Sequence, residues 1–77
     1  MPHVIVKLWP GKTDEQKSRL TEAIVRNVTT LLHSSDESVS VAIQEVASDD
    51  WTEQVVEPDV LGQWDRLTKK PGYVQQP

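Results

Sequence analysis

The sequence predicts an α/β fold built on one βαβ unit, and three observations carry that prediction. Apolar residues alternate from about Pro2 to Trp9 and again from about Val39 to Val46, the period of two that marks a half-buried strand. Between them Leu20, Ala23, Ile24, Val28, Leu31 and Leu32 recur at helical spacing. Two strands joined by one long helix are expected to run parallel, through a right-handed crossover.

Each element has a local justification. In the first strand, Val4, Val6 and Leu8 share one face, while His3, Ile5, Lys7 and Trp9 share the other. The second face is mixed, which suggests that it meets something other than bulk water. Pro10-Gly11 breaks the strand. Thr13 is the expected helix cap, and Gln16 three residues later completes a capping box. Asp14 and Glu15 suit the positive end of the helix dipole, and Lys17, Arg19, Glu22 and Arg26 supply the polar face. The helix is expected to end near Leu32 or His33, and Ser34 to Ser38 form a polar turn.

In the second strand Val39, Val41 and Ile43 share a face, with Ser40, Ala42, Gln44 and Val46 on the other. Ala47-Ser48-Asp49-Asp50 reads as a turn into a short helix near Trp51. Pro58 suits the first turn of a last helix, with Val60, Leu61, Trp64 and Leu67 inward. Lys69-Lys70-Pro71-Gly72 is a stop, and the tail from Tyr73 to Pro77 is expected to be loose unless a partner holds it.

The chain has 77 residues, room for a single domain over 1–77, with a core at 2–51 and a helical extension and tail at 52–77. A domain of this size buries only about 60% of its unfolded surface. Only 36% of the residues are apolar and there is no cysteine to staple the fold, so oligomerisation is the expected supplement. A two-stranded sheet is marginal alone and has two open edges, which a second subunit would cover. The net charge of -4, from twelve acidic and eight basic residues, argues against nucleic acid and anionic membranes as partners. No apolar run is long enough to span a membrane and no signal peptide precedes the first strand, so the cytoplasm is the expected location. Asn27-Val28-Thr29 fits the glycosylation triplet but reads as chance in that setting.

One residue stands out for chemistry. Pro2 lies directly behind Met1, and a small second residue normally permits removal of the methionine. Pro2 would then carry a free secondary amine, a base on a rigid ring. The competing candidates have structural readings. His33 sits at a helix end, and two isolated histidines make no metal site. His3 adjoins Pro2 but belongs to the opposite strand face. Asp49 and Asp50 read as helix caps, Trp9 and Trp64 as core or interface residues, and Arg66, Lys69 and Lys70 as the basic end of a helix.

The order Pro2, strand, Gly11-Lys12-Thr13-Asp14-Glu15-Gln16-Lys17, long helix, strand, Trp51 resembles the 4-oxalocrotonate tautomerase family. The likeness runs without a gap from Pro2 to about Trp51. The extension, closing in Lys69-Lys70-Pro71-Gly72-Tyr73, looks like that of the extended small tautomerases of the PptA type. The resemblance implies the tautomerase (MIF-like) fold, in which βαβ subunits pair into a four-stranded sheet. It implies Pro2 as the catalytic base. Lys12 stands where family members have an arginine that grips the substrate carboxylate; the charge survives but the bidentate fork is lost. Ser40 stands where a second arginine binds near the 2-oxo group. Trp51 stands where an aromatic residue walls the pocket and keeps the amine dry.

The implied activity is a keto–enol tautomerase for small 2-oxo or enol acids, working without cofactor or metal. The implied assembly is a homodimer. The family also contains hexamers, but Thr52 to Tyr73 is long enough to cover the surface a hexamer would use. With Ser40 in place of a cation, an aromatic monoacid such as phenylenolpyruvate is expected to be preferred over a 2-hydroxymuconate-type diacid. Ser40 and Lys12 also keep open an alternative, an oligomeric binding module that retains the fold without the activity.

Overall fold

The computed structural model describes residues 1–75. Strand β1 spans His3–Leu8, helix α1 spans Asp14–Leu32 and strand β2 spans Ser40–Glu45. The strands are parallel, with His3 opposite Ser40, Val4 opposite Val41 and Leu8 opposite Glu45. The expected βαβ unit is therefore present. Its strands are shorter than expected by a residue or so at each end, and Val46 falls outside β2.

The turn and caps follow from particular residues. Gly11 has φ +121, a left-handed conformation that favours glycine, and it swings the chain from β1 toward α1. The Thr13 hydroxyl accepts from the Gln16 N–H at 3.0 Å, and the Gln16 side chain accepts from the Thr13 N–H at 2.9 Å. These reciprocal bonds satisfy two of the amides that a helix start leaves unpaired. His33 ends the helix with φ 55, in the left-handed cap position that glycine more often fills.

Lys17 identifies the sheet face under the helix. Its ammonium lies 3.3 Å from Glu45, which shares a register pair, and hence a face, with Leu8. Leu8, Val6, Val4, Ile43 and Val41 are accordingly half-buried beneath α1, whereas Ile5 on the other face is 51% exposed. The helix covers this face incompletely. At 1.5 Å per residue α1 is about 28 Å long, against about 20 Å for a six-residue strand. Its last turn overshoots, which is why Leu31 and Leu32 of the expected apolar stripe remain exposed, and no α1 side chain is fully buried.

The chain divides into two compact units at Glu45–Val46. The second unit is helical but not in the manner the sequence suggests. After a 3-10 turn at Ser48–Asp50, a π-helix runs over Thr52–Val60 and a 3-10 helix over Leu61–Arg66. Pro58 does not open a new helix; it lies inside the π-helical run. Proline has no N–H, and in α geometry its ring collides with the carbonyl four residues back. Wider winding relieves that conflict. The Leu61 N–H is shared between the carbonyls of Glu57 and Val56, four and five residues earlier. Gly62 suits this tight passage, since a Cβ there would stand 3.0 Å from the Glu57 carbonyl oxygen. Val55 is buried within this unit's π-helix. Among the described residues no helix is long and apolar enough to cross a membrane.

Candidate active site

Pro2 is half-buried at the head of β1, behind a Met1 that is fully exposed. The Pro2 carbonyl accepts a hydrogen bond from the Ser40 N–H at 3.1 Å, which ties it to the first residue of β2. The ring is thus held on a paired strand end. While Met1 is attached, the Pro2 nitrogen is an amide and has no basicity. Without Met1 that nitrogen would be a secondary amine at the end of the sheet.

Ser40 is exposed, and its hydroxyl is engaged by a residue that strand alternation had set aside. His3 Nδ1 lies 2.6 Å from Ser40 Oγ. Register partners in a parallel pair occupy the same face, and His3 is the partner of Ser40. The signal was available: matching Val4 and Val6 with Val41 and Ile43 as one inward face sets His3 beside Ser40. Whichever tautomer the imidazole takes, part of the hydroxyl's hydrogen-bonding capacity is used within the chain.

Lys12 is exposed beyond the β1 turn, at a shallow groove of about 220 Å³ lined also by Leu8, Gln16, Lys17 and Leu20. The two lysines here differ. Lys17 contacts Asp14 at 3.5 Å and Glu45 at 3.3 Å, and the hydrogen bond to Glu45 raises its pKa above the ordinary value of 10.5. Lys12 makes no ion pair among the described residues, so its charge remains available to an anion. Its groove lies at the Leu8 end of β1, whereas Pro2 lies at the other. Six strand residues separate them by about 20 Å. A single chain does not bring Pro2 and Lys12 together.

Trp51 belongs to the second unit and is half-buried there. Its indole N–H donates to the Tyr73 hydroxyl at 3.0 Å. The tail is therefore not loose at Tyr73; Gln76 and Pro77 lie outside the described residues. Lys70 helps form the turn before Tyr73. Its ammonium donates to the Leu67 carbonyl at 3.4 Å and lies 5.5 Å from the Trp64 ring centroid, within cation–π range. Among the described residues no cluster of three or more His, Asp or Glu side chains is placed to hold a metal ion.

Comparison with known proteins bears directly on this arrangement. A family profile described as "Tautomerase enzyme" matches residues 2–62. The chain belongs to the tautomerase family. It is 42% identical over 74 residues to the tautomerase PptA of Enterobacter sp. (strain 638), covering 95% of this chain and 97% of that one. It is 37% identical over 75 residues to a probable tautomerase of Xylella fastidiosa (strain 9a5c), covering 97% and 92%. Against a tautomerase PptA of Escherichia coli (strain SMS-3-5 / SECEC) the identity is 33% over 78 residues, covering 95% and 97%. The parallel strands and helices described above agree with the tautomerase fold, and the family places this chain among tautomerase-type isomerases. The family match begins at Pro2 and includes Lys12, Ser40 and Trp51. Alignment with the relatives over nearly the whole chain shows that they are of comparable length, extension included.

Proposed function

We propose that this tautomerase interconverts the enol and keto forms of small 2-oxo acids without a cofactor, using the Pro2 amine as general base and acid. The observation that carries the reading is a proline directly behind an exposed Met1, hydrogen-bonded to the first residue of β2 at the start of the family match. Once Met1 is removed, a neutral Pro2 nitrogen takes the proton of the enol hydroxyl. The O–H electron pair becomes the second bond of the carbonyl, and the carbon–carbon π pair receives a proton from the prolinium. The reaction needs only a group that is sufficiently often neutral near pH 7. An α-amino group ordinarily titrates near about 8, and burial or a neighbouring cation disfavours its charged form.

The working site is made by two copies. The length of β1 keeps Lys12 away from Pro2 of its own chain, so Lys12 of a second copy serves as the carboxylate anchor. Pairing two βαβ units into a four-stranded sheet would close an open edge and give exposed Ile5, Leu31 and Leu32 something to pack against. A dimer is the assembly this reading requires, with Trp51 as an aromatic wall of the pocket. A cytoplasmic location goes with a chain that has no cysteine and acts on small metabolite-like acids.

Ser40 sets the substrate preference. Its hydroxyl carries no charge and is already engaged by His3. A charge-assisted contact of the kind an arginine would make is worth about 1.5–3 kcal/mol. Its absence disfavours a diacid by roughly ten- to a hundredfold in kcat/KM. An aromatic monoacid such as phenylenolpyruvate is therefore the better substrate.

The test is ketonisation of phenylenolpyruvate and 2-hydroxymuconate by protein whose N-terminus has been checked by intact mass. Free Pro2 supports turnover. Acetylated Pro2 or retained Met1 lowers it by about 10²–10⁴-fold. Undiminished turnover by the acetylated protein would overturn the mechanism, and a monomer by light scattering would overturn the two-copy site.

A further inference from the structure

We propose that His3 and Ser40 together form a proton-dependent contact for a second substrate carboxylate, His3 supplying, when protonated, the cation that Ser40 lacks. The inference rests on the reading of Pro2 as the base of an enol-acid tautomerase and adds to it a residue that sets substrate choice.

The geometry lies wholly within the βαβ unit, at the end of the sheet that carries Pro2. His3 follows Pro2 in the chain, and the Ser40 N–H donates to the Pro2 carbonyl at 3.1 Å. Across the register pair, His3 Nδ1 stands 2.6 Å from Ser40 Oγ. Both residues are exposed. Among the described residues His3 makes no other hydrogen bond or ion pair, so its Nε2 is left for a ligand.

Histidine is the side chain whose charge ordinarily changes between about pH 5 and 8. A protonated imidazole donates from both nitrogens. Its Nδ1–H then bonds the Ser40 oxygen and frees the hydroxyl hydrogen. The pair offers an anion the Nε2–H, the O–H and one positive charge. A neutral ring with its hydrogen on Nε2 takes the hydroxyl hydrogen at Nδ1 instead and offers no charge. Few other titratable groups surround the pair. On the same face of the strands Lys7 stands four residues and about 13 Å along β1. β2 contributes only Ala42 and Gln44 to that face. Asp36 and Glu37 lie on the turn before β2, and neither pairs with the ring among the described residues. Lys17 and Glu45 bond each other on the opposite face, under α1. Without Met1, the Pro2 amine is the adjoining ionisable group.

The experiment measures kcat/KM for 2-hydroxymuconate and for phenylenolpyruvate from about pH 5.5 to 8, on full-length protein with verified free Pro2. Pro2 acts on both substrates, so its titration cancels in their ratio. In the wild type the diacid-to-monoacid ratio is expected to rise about three- to tenfold toward the acid end. In His3→Gln it is expected to stay low and flat. His3→Lys, a cation throughout this range, is expected to hold the ratio high and flat. A flat wild-type ratio would overturn the proposal, as would a rise that survives in His3→Gln or a His3→Lys ratio as low as that of His3→Gln. A merely structural His3 predicts the same pH profile in all three proteins. If the wild type turns over neither substrate, the Pro2 reading fails and this inference falls with it. Turnover of phenylenolpyruvate with a flat ratio, or with no diacid turnover at any pH, defeats the inference alone.

Discussion

The two compact units of this chain reach their structures by different routes. The βαβ unit obeys local rules almost throughout. Thr13 and Gln16 start α1, Pro10-Gly11 ends β1, and alternation sorts each strand's residues onto two faces. The unit from Val46 onward breaks those rules at Pro58, where proline meets a helix that continues past it. Its π and 3-10 winding leaves little room for a side chain at 62, and its tail is bonded back to Trp51. Local propensity therefore suffices where side chains and backbone make the same demand. Where they conflict, packing selects an uncommon geometry that no single residue announces.

Substitutions can sharpen this contrast. The largest expected effect concerns chemistry in the βαβ unit rather than its fold. Ser40→Arg places a cation at the head of β2, at an exposed position whose hydroxyl bonds to His3. The ratio of kcat/KM for 2-hydroxymuconate to that for phenylenolpyruvate should rise by about tenfold or more. An unchanged ratio would mean that another basic group already does this work.

Gly62→Ala attacks the second unit where its winding is tightest. The added Cβ must stand 3.0 Å from the Glu57 carbonyl oxygen, a contact that backbone movement has to relieve. A loss of about 1–3 kcal/mol in chemical denaturation is expected. Helical circular dichroism should fall more than a change of one residue explains. Wild-type stability in this variant would show that the helix has room to rewind.

Thr13→Ala is the matching change in the βαβ unit. It removes one half of the capping box and should cost about 1 kcal/mol. It alters one helix end only, so helix content should stay nearly constant while the denaturation midpoint falls. A loss as large as that of Gly62→Ala would undo the distinction between the units.

The smallest effect expected is at Lys17. Its pKa is raised, chiefly by the hydrogen bond to Glu45, so its contribution is fully present below the unfolded lysine value and fades as pH climbs through the folded value, above 10.5. The wild type should be slightly more stable than Lys17→Met at pH 8. Urea midpoints of the two should converge only above pH 10.5. Convergence between pH 7 and 9 would assign the difference to some other group.

The βαβ order and the helix start were legible in the sequence because each rests on contacts within four residues or on a simple period, and the parallel pairing followed from the crossover rule for two strands joined by one helix. Lys12, Ser40 and Trp51 came from family likeness alone, Pro2 also from its place behind Met1, and the structure describes the surroundings of each. It ties Pro2 to Ser40 through the backbone and leaves Lys12 at the far end of β1. Two features were harder to read. The exposure of Leu31 and Leu32 follows from a 19-residue helix lying on six-residue strands, a mismatch visible only when the lengths are compared in space. The His3–Ser40 bond depends on strand register, which joins residues 37 apart.

What the sequence by itself determined, then, is the succession of β1, α1 and β2 and the proline behind Met1. Caps, breakers and periodicity act over a few residues and carry their own energy. Only the tertiary structure decided that the His3 ring bonds the Ser40 hydroxyl beside which the register sets it, how the helix passes Pro58, and that Tyr73 returns to Trp51. Those outcomes depend on distances between residues far apart in the chain. Such distances are set by packing the elements together, not by any element alone.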